Sequence, residues 1–152
     1  MLCTIKNICY FVELFTVKNF FMSFKATAKI GSKEFDVISC SYALHREVDG
    51  KGRPASVVYG GTINLVVEST DDSSIIEAMV NNQHKPLDGT ITFKKSDEDA
   101  KLKELSFEKG YIVKFGENFD TIGSQPMLIS FTISAQTIKV GGAEHKNDWP
   151  NK

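Results

Sequence analysis

The sequence predicts a mainly β domain: a single β-barrel or two-sheet sandwich of antiparallel strands with one packed α-helix. Three observations carry this prediction. From Phe24 onward apolar and polar residues alternate with a period of two, which is the mark of strands with one face in a core. Turn-forming residues interrupt these runs at regular intervals. A single stretch, Asp71 to Gln83, changes to helical spacing, with Ile75, Ile76, Met79 and Val80 on one stripe.

In the first strand Phe24, Ala26, Ala28 and Ile30 alternate with Lys25, Thr27 and Lys29, and Gly31-Ser32-Lys33 turns the chain. A second strand spans Asp36 to Leu44, with Ile38, Cys40, Tyr42 and Leu44 on one face and the small Val37, Ser39, Ser41 and Ala43 on the other. In the third, Ile63, Leu65 and Val67 alternate with Thr62, Asn64, Val66 and Glu68. Further strands are expected at Thr90–Lys95, Lys103–Glu108, Tyr111–Phe115 and Met127–Val140, with a hairpin at Lys109-Gly110, since glycine tolerates the positive φ of a tight turn. Thr70, Asp71 or Asp72 can cap the helix of residues 71–83, and Asp71, Asp72 and Glu77 suit its positive end. Asn81-Asn82 is expected to end it in the left-handed conformation, ahead of Pro86.

A length of 152 residues matches one domain, and 41% hydrophobic with 24% charged residues is an ordinary globular mixture. The formal net charge of −1 gives no global field to gather phosphates or an anionic membrane, so neither nucleic-acid binding nor membrane insertion is expected. The cysteines, Cys3, Cys9 and Cys40, are odd in number and lack CxxC spacing, which fits folding in a reducing compartment. Composition breaks once, after the Phe-, Ile- and Leu-rich residues 1–21. Glu13, Lys18 and Asn19 interrupt that segment, and Phe20-Phe21 is a poor cleavage site, so it matches neither a signal peptide nor a membrane span. Residues 1–21 are expected to be an extension upstream of a start at Met22, with residues 22–152 as the domain. If present, Ile5, Ile8, Val12, Phe15 and Val17 would line one amphipathic helix.

The residue patterns of catalysis are missing. Gly50-Lys51-Gly52 lacks the spacing of a phosphate loop, and His45, His84 and His145 are scattered without a zinc-binding repeat. Asp97-Glu98-Asp99 lacks the glycine and terminal glutamate of a calcium loop. Ser39, Cys40 and Ser41 carry no nucleophile signature. Phe93, Phe107, Phe115 and Phe131 fit core positions better than a base-stacking platform, and the basic stripe of a nucleic-acid-binding barrel is absent. No catalytic residue, metal ligand or cofactor is predicted, and the chain is not expected to be an enzyme.

The long connection from His45 to Gly61 exceeds what a hairpin needs, and long structured loops are more often binding elements than spacers. Arg46, Lys51 and Arg53 set against Glu47 and Asp49 fit either a two-sign contact surface or a solvated flap.

Several stretches resemble one branch of the Hcp/TssD family of type VI secretion tube proteins: MSFKATAKIGSKEFDV, REVDGKGRPAS with VYGGTI, VESTDDSSIIEAMVNNQHKPLDGTITFKK, DEDAKLKELSFEKGYIVKFGE, and QPMLISFTISA with AEHKNDWP. None is a catalytic motif, and the specificity lies in their order from Met22 to Trp149. The resemblance implies a β-barrel subunit that forms homohexameric rings stacked into a hollow tube. It also implies a surrounding contractile sheath, a VgrG-type spike at the tip, and effector cargo in the lumen. Such a tube assembles in the cytoplasm and is secreted by the machine without a signal peptide. By the same analogy the loop Arg46–Tyr59 reaches the neighbouring ring, with Arg46, Asp49, Lys51, Arg53 and Tyr59 as contact residues. The edges of Phe24–Ile30 and Met127–Val140 are the expected lateral contacts. A phage-type tail-tube protein, and behind it a ligand- or nucleic-acid-binding β-barrel, are the alternatives.

Overall fold

The computed structural model describes residues 24–95, 100–122 and 127–150. The expectations for residues 1–21 and for Asp97-Glu98-Asp99 lie outside them. The elements run β1 (Lys25–Ile30), β2 (Lys33–Tyr42), β3 (Thr62–Glu68), α1 (Ser74–Val80), β4 (Leu87–Lys94), β5 (Lys101–Asn118), β6 (Leu128–Val140) and β7 (Ala143–Lys146). Neighbouring strands pair in the order β3-β2-β1-β4-β5-β6-β7, and β3 also pairs with β6. Every pairing is antiparallel, so β1 to β6 close into a six-stranded barrel with β7 appended.

The alternation picks out the inner face. Ile63, Leu65 and Val67 of β3 meet Ile133, Phe131 and Ile129 of β6 in register, and all six are buried. Ala28, Ile91, Leu105 and Phe107 complete the centre of the core. Fully burying such an aliphatic or aromatic side chain contributes about 1.5–3 kcal/mol.

The expected hairpin at Lys109-Gly110 does not exist: β5 runs unbroken through it. Lys109 does take a positive φ of 51°, but as a bulge against β4, with its N–H donating to Asp88 Oδ1 at 2.8 Å. The Phe107 ring fills the space left by two missing side chains. A Cβ at Gly89 would lie 2.6 Å from its Cζ, and one at Gly110 2.9 Å from its Cδ2. Close packing of a ring on two backbones is what glycine in a bent strand permits.

Two faces and one boundary also differ from expectation. A register shift between Val37 and Ser39 moves the core-facing side of β2 from Phe35 and Val37 to Cys40 and Tyr42, leaving Ile38 exposed. The helix is shorter than the predicted 71–83, and Asn81 at its end is right-handed with φ −87°, not left-handed. The N-cap is Ser73, not one of the expected Thr70, Asp71 or Asp72, and its side chain makes no cap bond; Asp72 just ahead of it accepts the Ser74 N–H through Oδ1 at 2.8 Å while its Oδ2 pairs with Lys33 Nζ at 2.9 Å. Ile75 turns into the core, with Ala78 and Met79 packed beside it.

Neither proposed lateral edge is an edge. β1 lies between β2 and β4, and β6 between β5 and, in succession, β3 and β7. The strand at the open end of the sheet is β7, which the period-two pattern did not mark.

Candidate assembly interface

The long connection between β2 and β3 is a built arm rather than a slack flap. His45 and Tyr59 exchange both backbone hydrogen bonds, at 2.9 and 2.8 Å, and their rings lie 5.4 Å apart. Further out Ala55 N–H donates to Glu47 O at 2.8 Å, and Ser56 Oγ accepts the Glu47 N–H at 2.9 Å while donating to Val57 O. At the tip Asp49 organises the turn. Its Oδ1 accepts the N–H groups of Lys51 and Arg53, each at 2.9 Å, and its Oδ2 accepts Arg53 Nε at 3.1 Å. These amide bonds, Arg53's ahead of Lys51's, hold the Asp49 carboxyl below its usual range.

The five sequence-predicted residues thus fall into separate roles. Asp49 and Arg53 satisfy each other within the arm, and Tyr59 closes its base. Arg46 and Lys51 are exposed and, among the described residues, take part in no ion pair. Charge reading missed the apolar surface of the arm: Val48 is 63% and Val57 72% exposed, with Leu44 and Tyr59 also open. The signal was the valines standing among the charges, unpaired with any core run.

The arm is rooted where β6 changes partner from β3 to β7. Gly61 O accepts the Ala135 N–H at 2.7 Å, and Asn147 N–H donates to Gln136 O at 2.8 Å. Asn147 Nδ2 spans the gap by donating to Gly60 O at 2.9 Å and Ala135 O at 3.2 Å. Its Oδ1 lies 3.1 Å from His145 Nε2, so with both amide hydrogens spent the imidazole is the donor there. Gly61 has φ +103°, and a Cβ on it would come within 2.3 Å of Asn147 Nδ2. Two distant stretches, VYGGTI and the AEHKNDWP run, therefore meet in one joint. Tyr111 and Trp149 pack beside it with ring centroids 5.9 Å apart.

Among the described residues no group of His, Cys, Asp and Glu is placed to hold a metal ion. No helix among them is long and apolar enough to cross a membrane. Cys40 is half-buried, and desolvation pushes its thiol up to about 11, which suppresses the thiolate.

Comparison with known proteins gives this arrangement a context. Residues 22–150 match the family described as hemolysin coregulated protein Hcp (TssD). No curated protein sequence matches the chain. Among solved structures, Hcp1 from Flavobacterium johnsoniae is 41% identical, with a TM-score of 0.76 over 81% of this chain and 99% of that one. Hcp1 from Salmonella typhimurium is 13% identical, with a TM-score of 0.64 over 82% and 92% of the two chains. The sheath-tube complex of an extracellular contractile injection system, PVC, includes a chain 15% identical with a TM-score of 0.54, covering 78% of this chain and 89% of that one. The last two likenesses concern the fold. The family match across the barrel, together with the identity to the Flavobacterium protein, establishes that the chain belongs to the Hcp (TssD) family of type VI secretion tube proteins.

Proposed function

We propose that this chain is a structural subunit that closes into homohexameric rings, and that the rings stack into the inner tube of a type VI secretion machine. The single observation that carries the stacking is the arm. It is a hydrogen-bonded hairpin standing off a closed barrel, with an apolar face that its own fold leaves open. A ring needs a heterologous contact that closes, and a tube needs a second that propagates along an axis. The free edge of β7 is the surface assigned to the neighbour within a ring, since an unpaired strand edge is the part of a sheet that accepts another chain. The arm is assigned to the next ring, with Arg46 and Lys51 supplying charge and Val48, Val57 and Tyr59 supplying area.

In this reading the protein transforms no molecule. The tube forms in the cytoplasm inside a contractile sheath, carries a VgrG-type spike at its tip, and leaves the cell when the sheath contracts, with effectors able to ride in the lumen. The test is native mass measurement and electron microscopy of the full-length chain at neutral pH. Six-membered rings are expected, and Arg46→Glu with Lys51→Glu should leave rings intact while weakening their stacking. Loss of the hexamer in that variant would move the arm to the lateral contact.

A further inference from the structure

The C-terminal segment builds a cleft of its own on the barrel wall. Past β7 the chain is pinned by the Asn147 joint, and Trp149 N–H donates to Asn147 O at 3.1 Å, so the backbone carrying the indole is fixed. The indole lies tilted on Tyr111 of β5, yet both rings stay partly exposed, and neither belongs to the hydrophobic core. Beside them β5 and β6 supply a polar floor. Glu108 pairs with Thr137 and Gly110 with Ala135, which sets Lys109 across from Gln136. The facing wall is the turn after α1, closed by Lys85 N–H donating to Asn82 O at 2.9 Å, and it brings Gln83, His84 and Pro86 to the same cleft. Gln83 Nε2 ties that turn to the helix end by donating to Val80 O at 3.2 Å. The enclosed space is about 690 Å³, the size of an ordinary ligand site.

The lining is chemically selective. Among the described residues Lys109 is its only lysine, arginine or carboxylate, and Lys109 is exposed and makes no ion pair. His84, neutral or cationic, does not oppose it. Neighbouring carboxylates are engaged: Asp88 Oδ1 accepts the Lys109 N–H, and Glu108 Oε1 holds Lys139 Nζ. Outside the lining the exposed Lys85 and Lys146 stand against the exposed Asp148 and Glu144, so Lys109 sets the sign within. A fitting ligand therefore carries one negative charge. An ammonium on it would face Lys109 with no carboxylate to pair it, which is costly on desolvation. The neutral amides of Gln83 and Gln136 match peptide groups, and the Tyr111 and Trp149 rings favour an aromatic side chain packed offset or edge-on. A polypeptide ending in an aromatic residue meets all three conditions, because its carboxylate is terminal, its amino end is remote, and peptide groups follow at once.

We propose that this cleft binds the C-terminal residue of a partner polypeptide, with an aromatic side chain against Tyr111 and Trp149, the carboxylate on Lys109, and the preceding peptide group at Gln136. The assignment does not depend on the stacking role given to the arm.

Trp149 is the chain's only tryptophan, so its emission reports on this cleft alone. The experiment titrates the full-length protein, with ring mass as the folding control, using acetyl-Ala-Ala-Ala-Phe with a free carboxylate. That peptide should give a saturable change in Trp149 emission. Its C-terminal amide, acetyl-Phe-Ala-Ala-Ala and free phenylalanine should each bind about tenfold more weakly or worse, since each lacks one matched feature. Lys109→Gln should bring the carboxylate and amide peptides to within about twofold of each other, while Lys109→Arg keeps the preference. Tyr111→Ala should weaken both peptides by about fivefold. No response to the first peptide, equal affinity for carboxylate and amide, or a preference that survives Lys109→Gln would overturn the proposal. Free phenylalanine binding as tightly as the peptide would overturn it too, because the cleft would then recognise an amino acid and not a chain terminus. A chain that forms no rings contradicts the tube reading, and the same titration on that monomer still decides the fate of the cleft.

Discussion

Replacing Gly61 by alanine should damage the joint from which the arm springs, and the size of the effect follows from the geometry. At φ +103° an L-residue is strained, by about 1–3 kcal/mol for a backbone held in a sparsely populated region. The new Cβ would also sit 2.3 Å from Asn147 Nδ2 and 2.6 Å from Ala135 O, so the Asn147 side chain must leave. Its two donated hydrogen bonds, to Gly60 O and Ala135 O, are then lost, at about 0.5–1.5 kcal/mol each. The total is a destabilisation of about 2–6 kcal/mol, measurable by urea unfolding at one fixed protein concentration, since assembly itself shifts apparent stability. Gly50→Ala is the control: a Cβ there meets nothing within 4 Å, and the change should stay within about 1 kcal/mol. Asn147→Ala should cost part of the same energy, so the double variant should be less damaged than the sum of the singles. A Gly61→Ala protein as stable as the Gly50→Ala control, or strict additivity with Asn147→Ala, would refute the account of the joint.

Three further outcomes are expected. Phe131→Ala removes a ring that is only 2% exposed at the centre of the barrel, and should cost about 3–5 kcal/mol in the same unfolding assay. The hydrogen bond from Lys33, followed by the Ser74 N–H, lowers the Asp72 carboxyl to about 2. Its unfolded value is about 4, so its stabilisation is complete above that pH and is lost as pH falls toward 2; Asp72→Asn should flatten the stability profile in that window. Cys40, with its thiol near 11, should react with an alkylating agent at pH 8 far more slowly than a free cysteine and speed up only as pH approaches that value.

Much of the barrel was legible because its strands keep their phase. β3 keeps strict alternation from Thr62 to Glu68, so Ile63, Leu65 and Val67 were placed correctly on the core face. The misreadings occur where phase breaks. Ile38 does not share the face of Cys40 and Tyr42 that alternation predicts, because nothing in Asp-Val-Ile-Ser announces the bulge that shifts the pattern there by one. Lys109-Gly110 carries a true left-handed signal, but such a residue serves a bulge as well as a hairpin, and only the long-range pairing to Leu87 and Ala135 tells which. The helix was drawn too long because the polar residues of Asn81 to Gln83 are as compatible with a turn as with a final helical turn. β7 is four residues long with only Ala143 apolar, too short to show a period.

The arm was legible as an anomaly of length, and its charges were visible. Its internal pairing was not, because the Asp49 contacts depend on how the tip folds back on itself. The joint at Asn147 was equally hidden, since it unites residues separated by 87 positions. The resemblance already contained both halves, VYGGTI and AEHKNDWP, without indicating that they touch.

The central claim is that this barrel exists to contact copies of itself. Electron microscopy of the purified full-length chain tests it most directly. The account predicts annuli of six subunits that pile end to end as concentration rises. A homogeneous field of single barrels, unchanged across concentration and salt, would contradict it.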